Sequence, residues 1–207
     1  MESEKSGGSA RTISFYERNA DAFWERTRDH DVSHNIAALL RFVEGRPPFS
    51  ILDFGCGPGR DLKALKALGH EPVGLEGTHA FAEMARANSG CEVWEQDFLK
   101  LGLPPARFDG IFANASLFHV PPQELPRVLG ELREALKPRG VLFSSNPHGG
   151  DTEEVRADGR YGAYHTPDTW RRYMREAGFS ELTHFFRPQG LPREQQPWFA
   201  SVWRKSR

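Results

Sequence analysis

The sequence contains little cysteine and no long apolar stretch. Cys56 and Cys91 are the only cysteines among 207 residues. Two cysteines are too few for a disulfide framework, and their spacing matches no zinc motif. No apolar run reaches the roughly 18 residues that a membrane span requires, and the polar N-terminus lacks the apolar core of a signal peptide. We therefore expect a protein of a reducing compartment, the cytoplasm, with no membrane partner.

A charge excess of either sign is also missing. Lysine and arginine number 27, aspartate and glutamate number 28, and the formal net charge is -1. Proteins that bind nucleic acids usually carry a basic excess or a basic stripe. The expected partner is therefore a small molecule and not a nucleic acid. The length and an apolar share of 38% suit one globular domain.

Short apolar runs alternate with helical patterns along the middle of the chain. Strands are predicted over residues 50–54, 71–75, 92–95, 108–113 and 141–145, and helices over 61–68, 78–87 and 123–136. Strands that alternate with helices favour a parallel sheet covered on both faces. A helix is then predicted from Pro167, and the two strands after it, 181–187 and 198–203, have no helix between them. They should therefore pair antiparallel.

The segments outside this alternation are expected to cover a site. Residues 1–12 are predicted to be a flexible tail, and residues 13–207 a single domain whose first part, 13–45, is a helical cap. Residues 146–165 combine glycines with arginine and tyrosine, a composition that suits a mobile lid loop.

Three glycines at alternate positions, Gly55, Gly57 and Gly59, follow the first predicted strand. Glycine is needed where a backbone adopts a positive φ or comes close to a ligand, and ligands bind at the carboxyl ends of strands in such sheets. A dinucleotide fingerprint is G-x-G-x-x-G, but Arg60 stands where its third glycine would fall. The loop therefore predicts a ligand and argues against NAD or FAD.

Acidic residues end the next two predicted strands. Glu76 lies 21 residues after Gly55, where an acid commonly accepts hydrogen bonds from a ribose diol. Asp97 ends the third strand and precedes Phe98, so its carboxylate could accept a hydrogen bond from the exocyclic amine of adenine. Together these residues predict a ligand that contains adenosine.

In this order, the segments ILDFGCGPGRD, VGLEG, EQDF, FDGIFANASLFHV and LKPRGVLFSSNP resemble the successive motifs of class I S-adenosylmethionine-dependent methyltransferases. The resemblance covers residues 50–146 closely and the last helix and strands more loosely. It implies a Rossmann-like three-layer α/β sandwich with a seven-stranded, mostly parallel sheet in the order 3-2-1-4-5-7-6, strand 7 being antiparallel. It also implies S-adenosylmethionine as the cofactor.

The resemblance implies cofactor contacts along these motifs, and neighbouring residues of the same loops and of the cap are added to them. The expected cofactor-binding residues are Tyr16, Asp53, Gly55, Cys56, Gly57, Glu76, Gly77, Asp97, Phe98, Ala113 and Asn114. No metal site is expected. His30 and His34 have a spacing that would suit a metal on a helix, but Ser33 more readily begins a new helix there.

The expected reaction is an in-line displacement that moves a methyl group to an oxygen, nitrogen or sulfur atom of a small polar molecule. Alignment of the reactants can lower the barrier by about 7–11 kcal/mol, and a base is needed only if the acceptor must lose a proton. The candidate catalytic residues are His119, His165 and Tyr161. The candidate acceptor-binding residues are Trp24, Arg26, His119, Arg160 and Tyr164.

Other functions stay open at this point. A methyltransferase acting on RNA or protein is one, although Asn114 begins Asn-Ala-Ser-Leu where amino-methylating nucleic-acid enzymes of the class carry Asn or Asp followed by Pro-Pro-Tyr. A nucleotide-cofactor oxidoreductase is another, and Arg60 argues against it. The protein is expected to be a monomer or a homodimer.

Overall fold

Within residues 2–206, nine strands form two sheets. The fold is given by a computed structural model that describes residues 2–206, and side chains from residue 8 onward. In chain order the strands are β1 (Ser50–Phe54), β2 (Glu71–Glu76), β3 (Glu92–Glu95), β4 (Phe108–Asn114), β5 (Leu136–Pro147), β6 (Thr152–Val155), β7 (Tyr161–Tyr164), β8 (Phe179–Arg187) and β9 (Trp198–Lys205).

The larger sheet has seven strands in the order β3-β2-β1-β4-β5-β9-β8. Strands β1 to β5 are parallel to one another, and β9 runs antiparallel between β5 and β8. The other two strands, β6 and β7, form an antiparallel hairpin of their own. With the hairpin left out of the count, the predicted order 3-2-1-4-5-7-6 with an antiparallel seventh strand is confirmed.

Helices cover both faces of the large sheet. In chain order they are α1 (Glu2–Arg18), α2 (Ala20–Thr27), α3 (Ser33–Leu40), α4 (Arg60–Ala67), α5 (His79–Ser89), α6 (Leu125–Ala135) and α7 (Pro167–Glu176), with short 3-10 turns at Leu117–His119 and Arg193–Gln195. None of the helices within residues 2–206 has the length and apolar character needed to cross a membrane.

Helices α6 and α7 bury their apolar stripes on one face of the sheet. Leu129 and Leu132 of α6 and Trp170 of α7 are at most 3% exposed and pack in one cluster with Leu52 and Leu75 of the strands. The apolar residues of α6 recur at the three- and four-residue spacing of an amphipathic helix. Burying each large side chain contributes roughly 1.5–3 kcal/mol.

Helices α3 and α4 cover the opposite face. Ile36 and Leu39 of α3 and Leu65 of α4 pack against Phe112 and Phe143 of the two central strands. The two phenylalanine rings stack with their centroids 4.9 Å apart. Because strands buried on both faces cannot move without opening two cores, the loops at their carboxyl ends stand on a rigid support.

The turn from β1 into α4 is made by the three alternate glycines. Gly55, Gly57 and Gly59 have φ values of 78°, 52° and 91°, a region that residues with a Cβ rarely adopt. A Cβ at Gly55 would also lie 2.5 Å from the Cβ of Ser116, and one at Gly59 would lie 2.7 Å from the Cα of Ala85. The glycines therefore allow both the tight turn and the close approach of its neighbours.

The N-terminal segment differs from the flexible tail expected over residues 1–12. Helix α1 begins at Glu2, and Met1 lies outside the described residues. Thr12 is buried, and its hydroxyl donates to the carbonyl of Gly8 (3.0 Å) and accepts from the backbone N–H of Tyr161 (2.9 Å). The polar composition suggested a tail, but residues 8–12 are held by these tertiary contacts. Within the expected helical cap of residues 13–45, helix α1 is separated from the next helix, Ala20–Thr27, at Asn19.

The segment 146–165 also differs from the expected loop. It contains the hairpin of β6 and β7, in which Tyr161 and Ala163 are buried while all four residues of β6 are exposed. Because β6 has no apolar alternation, the sequence pattern alone does not indicate a strand there.

Candidate functional site

A cavity opens beside the glycine turn, at the carboxyl ends of β1, β2 and β4. We call it cavity A. Its walls are formed by Ser9, Thr12, Ile13, Tyr16, Phe23, Gly55, Gly57, Glu76, Gly77, Thr78, Phe81, Asp97, Phe98, Leu99, Ala115, Ser116 and His119. Of the expected cofactor residues, this cavity brings together Tyr16, Gly55, Gly57, Glu76, Gly77, Asp97 and Phe98.

A larger cavity of about 640 Å³, cavity B, adjoins cavity A on the side of the cap. The two cavities share the wall residues Tyr16, Phe23, Gly55, Gly57 and Ala115. A molecule in one cavity and a molecule in the other would therefore meet at the glycine turn.

Backbone donors fix the carboxylate of Glu76. Its Oε2 accepts from the N–H of Gly57 at 2.9 Å and its Oε1 accepts from the N–H of Thr78 at 3.0 Å. Burial raises the pKa of Glu76, and these backbone hydrogen bonds act in the opposite direction. A carboxylate has about four acceptor positions, so Glu76 can accept two further hydrogen bonds from a ligand.

Asp97 is held next to a flat apolar surface. Its Oδ1 accepts from the hydroxyl of Ser9 at 3.0 Å and from the N–H of Leu99 at 2.9 Å. The ring of Phe98 stacks on that of Phe54, with centroids 4.3 Å apart. A hydrogen-bond acceptor beside an aromatic face suits a planar base with an exocyclic amine.

Asp53 lies at the end of β1, beneath the glycine turn, and it lines neither cavity. It is 1% exposed, and its Oδ2 has no hydrogen-bond partner. Burial raises the pKa of Asp53 well above its ordinary value, and the nearby Asp61 raises it further. Ser116, in the wall of cavity A, also has a buried oxygen without a partner. Such atoms in a native fold call for a partner.

Tyr16 and His119 are hydrogen-bonded to each other at the wall of cavity A. The phenol oxygen of Tyr16 is 3.1 Å from Nε2 of His119, and Nδ1 of His119 is 2.7 Å from the carbonyl oxygen of Tyr161. A carbonyl only accepts, so Nδ1 carries the proton and Nε2 accepts from the phenol. Burial lowers the pKa of His119 to about 4. Its imidazole is therefore neutral near pH 7, with the Nε2 lone pair directed to Tyr16.

The other two candidate catalytic residues lie apart from this pair. The side chain of Tyr161 lines neither cavity, and its phenol donates to Glu153 at 2.5 Å. His165 lies in a separate small pocket with Trp170, and its Nδ1 is 3.7 Å from Asp151. The structure thus gives Tyr161 a backbone role beside His119 and does not bring His165 to the glycine turn.

Asn114 belongs to a polar network in the wall of cavity B. Its amide nitrogen donates to Oδ2 of Asp61 at 3.0 Å, and its oxygen accepts from the amide nitrogen of Asn35, also at 3.0 Å. Asp61 accepts two further bonds from Arg60, at 2.6 and 3.1 Å. Asn35 and Asp61 are both buried, so the network is a fixed polar surface of the cavity.

Cys56 and Ala113, the two expected cofactor-binding residues not yet described, occupy different positions. Cys56 lines cavity B and is 7% exposed; burial raises its pKa well above the ordinary value, so it is a neutral thiol. Ala113 is fully buried in β4 and lines neither cavity. Its small side chain acts through the packing of the strand and not by contact with a ligand.

Of the expected acceptor-binding residues, some line cavity B and others do not. Trp24 and Arg160 line cavity B. Arg26 is exposed and lines neither cavity. The phenol oxygen of Tyr164 accepts from Nη2 of Arg156 at 2.6 Å, and Arg156 lines cavity B. Tyr164 therefore orients a wall residue and does not itself form the wall.

Several wall residues escaped the sequence interpretation. In cavity A these are Ser9, Thr12, Ile13, Phe23, Thr78, Phe81, Leu99, Ala115 and Ser116. Ser9, Thr12, Ile13 and Tyr16 are spaced by three, one and three residues, which places them on one face of α1. This spacing indicates a common helix face, but the flexible tail predicted over residues 1–12 leaves Ser9 and Thr12 outside the predicted helical cap. Within the described residues, no group of three or more His, Cys, Asp or Glu is placed to hold a metal ion.

Known methyltransferases resemble this chain in sequence. A family model described as a methyltransferase domain matches residues 51–140. The chain is 34% identical over 128 residues to 24-methylenesterol C-methyltransferase 2 of Oryza sativa subsp. japonica, a match that covers 58% of this chain and 33% of that protein. The chain spans 30% to 57% of the length of three of its curated relatives.

Solved structures share the fold at low sequence identity. The 1,6-didemethyltoxoflavin-N1-methyltransferase of Burkholderia thailandensis, with its bound substrate and S-adenosylhomocysteine, superimposes with a TM-score of 0.77 at 19% identity, covering 96% of this chain and 88% of that chain. A methyltransferase from a Haloferax volcanii complex with the Trm112 activator superimposes with a TM-score of 0.76 at 15% identity, covering 95% and 98%.

Proposed function

We propose that the chain is a class I S-adenosylmethionine-dependent methyltransferase, which the methyltransferase-domain match over residues 51–140 supports. It would transfer a methyl group from S-adenosylmethionine to an oxygen, nitrogen or sulfur atom of a small polar molecule. One observation carries the proposal: Glu76 and Asp97 line the same cavity as Gly55 and Gly57. Two acceptors and a glycine turn around one cavity are the arrangement that an adenosine with a polar tail requires.

The residues of cavity A and the turn beneath it fit this cofactor. Glu76 has free acceptor positions for the two ribose hydroxyls, and Asp97 beside Phe98 suits adenine. A Cβ built on Gly57 meets only Phe23, at 4.0 Å, so the turn leaves room for a ligand. The unpartnered hydroxyl oxygen of Ser116, in the wall of cavity A, is a suitable acceptor for the ammonium group at the other end. The carboxyl group of Asp53 lies beneath the turn and outside the wall, so it would act on that group through its charge and not by direct contact. When bound, the cofactor supplies a methyl group activated by its sulfonium.

Cavity B is the proposed acceptor site. Its boundary with cavity A, at Tyr16, Gly55 and Gly57, is where an acceptor atom would be aligned with the methyl group. The rings of Tyr16, Phe23 and Phe81 pack with centroids 5.1 to 5.5 Å apart beside this boundary. These rings give the boundary an apolar side, and a bound cofactor and acceptor that displace water there would strengthen the electrostatic interactions inside.

His119 is the proposed base where the acceptor must lose a proton. Its neutral Nε2 is at the wall of cavity A and is paired with the phenol of Tyr16. A base with a pKa of about 4 is weak, so it suits an acceptor whose proton becomes acidic only as the methyl bond forms. The phenol of Tyr16, whose pKa is raised by burial, can relay that proton from acceptor to imidazole.

Isothermal calorimetry with S-adenosylmethionine and S-adenosylhomocysteine tests the cofactor site. The unmodified protein should bind both, and Glu76→Ala should weaken binding by about 100-fold or more because two charge-assisted hydrogen bonds are lost. Glu71→Ala is the matched control, since Glu71 begins the same strand and is exposed. A folded protein that binds neither molecule would exclude the proposal.

The acceptor class is tested by transfer of a labelled methyl group. Metabolite extract, total RNA and total protein are offered separately with labelled S-adenosylmethionine. We expect the label in the small-molecule fraction. The labelled product is then analysed to determine whether the methyl group is attached to oxygen, nitrogen or sulfur. Label confined to RNA or protein, or attached to carbon, would contradict this part of the proposal while leaving the cofactor site intact.

A further inference from the structure

Cavity B carries more positive than negative charge in its wall. Four arginines, Arg60, Arg156, Arg160 and Arg187, line it, against two aspartates, Asp31 and Asp61. The chain as a whole is almost neutral, so this cluster is a local feature and not a consequence of composition.

Three of the four arginines already have carboxylate partners. Arg60 forms a two-pronged pair with Asp61. Arg160 donates to Asp158 at 2.6 Å.

Arg156 donates to Glu154 at 3.2 Å and to the phenol oxygen of Tyr164. The charges of these three side chains are therefore largely compensated inside the protein.

Arg187, the last residue of β8, is different. Among the side chains that the structure describes, none forms a hydrogen bond or an ion pair within 4.0 Å with its guanidinium. The nearby carboxylate of Asp31 accepts from the N–H of Ser33 at 2.9 Å. Burial and the neighbouring Arg60 lower the pKa of Arg187, while Asp31 and Asp61 act in the opposite direction. The guanidinium therefore has carboxylates in its vicinity but no side chain bonded to it.

We propose that Arg187 binds a carboxylate or phosphate group of the methyl acceptor, so that the substrate is a small organic acid. This inference rests on the function proposed above. A guanidinium presents paired N–H donors that match the two oxygens of such an anion. A partly desolvated cation without a partner is unfavourable, and a ligand oxyanion would remove that cost.

The rest of the cavity wall indicates the body of the acid. The aromatic side chains Trp24, Phe118 and Trp198 line cavity B together with the arginine. They offer apolar faces for a planar or aliphatic group and also stack well on a guanidinium. The substrate would then place its acidic group at Arg187 and its acceptor atom at the boundary with cavity A.

The test uses matched acids and amides with the full-length protein saturated with S-adenosylhomocysteine. Binding of 4-hydroxybenzoate, phenyl phosphate and the neutral 4-hydroxybenzamide is measured by ligand-observed NMR titration. We expect at least one acid to bind about tenfold more tightly than the amide. Arg187→Gln should abolish this preference, and Arg187→Lys should keep part of it because the charge remains without the fork. The two acids distinguish a carboxylate site from a phosphate site.

Arg46→Gln is the control for the charge change, because Arg46 is exposed and lines neither cavity. It should leave the acid preference unchanged. Calorimetry with S-adenosylhomocysteine on each variant checks that cavity A is intact. The inference is overturned if no acid binds better than the amide, or if the preference survives in Arg187→Gln. If S-adenosylhomocysteine itself fails to bind, the proposed function is what fails, and the acid preference is measured on the free protein.

Discussion

Two buried carboxylates near the glycine turn differ in how they are satisfied. Glu76 accepts from two backbone N–H groups, whereas Oδ2 of Asp53 accepts from none. Both have raised pKa values because of burial, but only Glu76 is stabilised as an anion by fixed donors. Asp53 is therefore the acid at this site that gains most from a cationic ligand.

Replacing Asp53 with asparagine should change the stability of the folded protein and its ligand binding in opposite directions. An acid with a raised folded pKa stabilises the folded state at low pH and loses that contribution as pH rises through the folded pKa. At pH 8 Asp53→Asn should therefore raise the free energy of unfolding by roughly 1 kcal/mol, and at pH 4 the gain should disappear. Urea unfolding at the two pH values measures this.

The same variant should bind S-adenosylmethionine more weakly than the unmodified protein, because the amide offers no negative charge to the ammonium group. Because burial raises the pKa of Asp53, binding to the unmodified protein should also release protons, which calorimetry in buffers of different ionisation enthalpy measures. Equal affinity in the variant, with no proton release, would mean that Asp53 serves only the turn.

A pH profile tests His119. With a pKa of about 4, His119 stays neutral across the usual assay range, and its lone pair is lost only below that value. The acid limb of kcat/KM, which reports the pKa values of the free enzyme, should therefore fall at about pH 4 and not near 6.5. His119→Gln should lower kcat by about 100-fold or more if the acceptor must lose a proton and remove that limb. A limb near 6.5 that persists in the variant would contradict the assignment.

Among single residues, those that follow the ends of the parallel strands could be placed from the sequence. Gly55, Glu76 and Asp97 follow consecutive parallel strands, whose carboxyl ends must meet at one edge of the sheet, so their proximity could be inferred without coordinates. Arg187 could not be found in this way. It ends an edge strand, and its arrival in cavity B depends on how the antiparallel strands fold back beside the cap.

Helix α1 and the β6–β7 hairpin are the elements that close the site, and they depend on each other. Thr12 of α1 accepts from the backbone of Tyr161 in the hairpin, and the carbonyl of Tyr161 in turn accepts from His119. Helix position, hairpin position and imidazole orientation are thus connected through two hydrogen bonds. The position of the cap therefore determines the orientation of the imidazole.

Thr12→Val should weaken this connection without changing the size of the side chain. The buried N–H of Tyr161 would lose its acceptor, which should lower the free energy of unfolding by about 1–3 kcal/mol. Hydrogen exchange should become faster at residues 152–164. Ser14→Ala is the control, because Ser14 is exposed on the same helix. Unchanged exchange in the hairpin would show that the two elements are held independently.

The elements themselves were predicted unevenly, for a physical reason. The sheet and its helices alternate between apolar runs and helical stripes because both faces are buried, so the pattern is strong. The exposed strand β6 carries Thr-Glu-Glu-Val and leaves no such pattern. Helix α1 was placed too late because glycines and charges dominate its first turns, and tertiary contacts at residues 9–16 outweigh that local preference.

For the whole molecule, the two cavities use parts of the chain that are far apart in sequence. Cavity A joins the N-terminal helix to β1, β2 and β4, and cavity B adds the last two strands. A ligand that bridges these parts binds the folded state and not the unfolded chain, so it must stabilise the entire domain.

Thermal unfolding therefore distinguishes the cofactor classes. S-adenosylhomocysteine at a hundred times its Kd should add about 2.7 kcal/mol to the free energy of unfolding, which for a chain of this size raises Tm by roughly 5–10 °C. NADH should give no shift, because Arg60 replaces the third glycine and is already bonded to Asp61 and to the carbonyl of Thr27.

The shift with S-adenosylhomocysteine should persist in 0.5 M salt, since Glu76 is buried and poorly screened. In Glu76→Ala it should largely vanish at the same ligand concentration, because binding there is weaker. A shift with NADH that equals or exceeds the shift with S-adenosylhomocysteine would favour a nucleotide-cofactor oxidoreductase instead, since the pocket would then bind a dinucleotide.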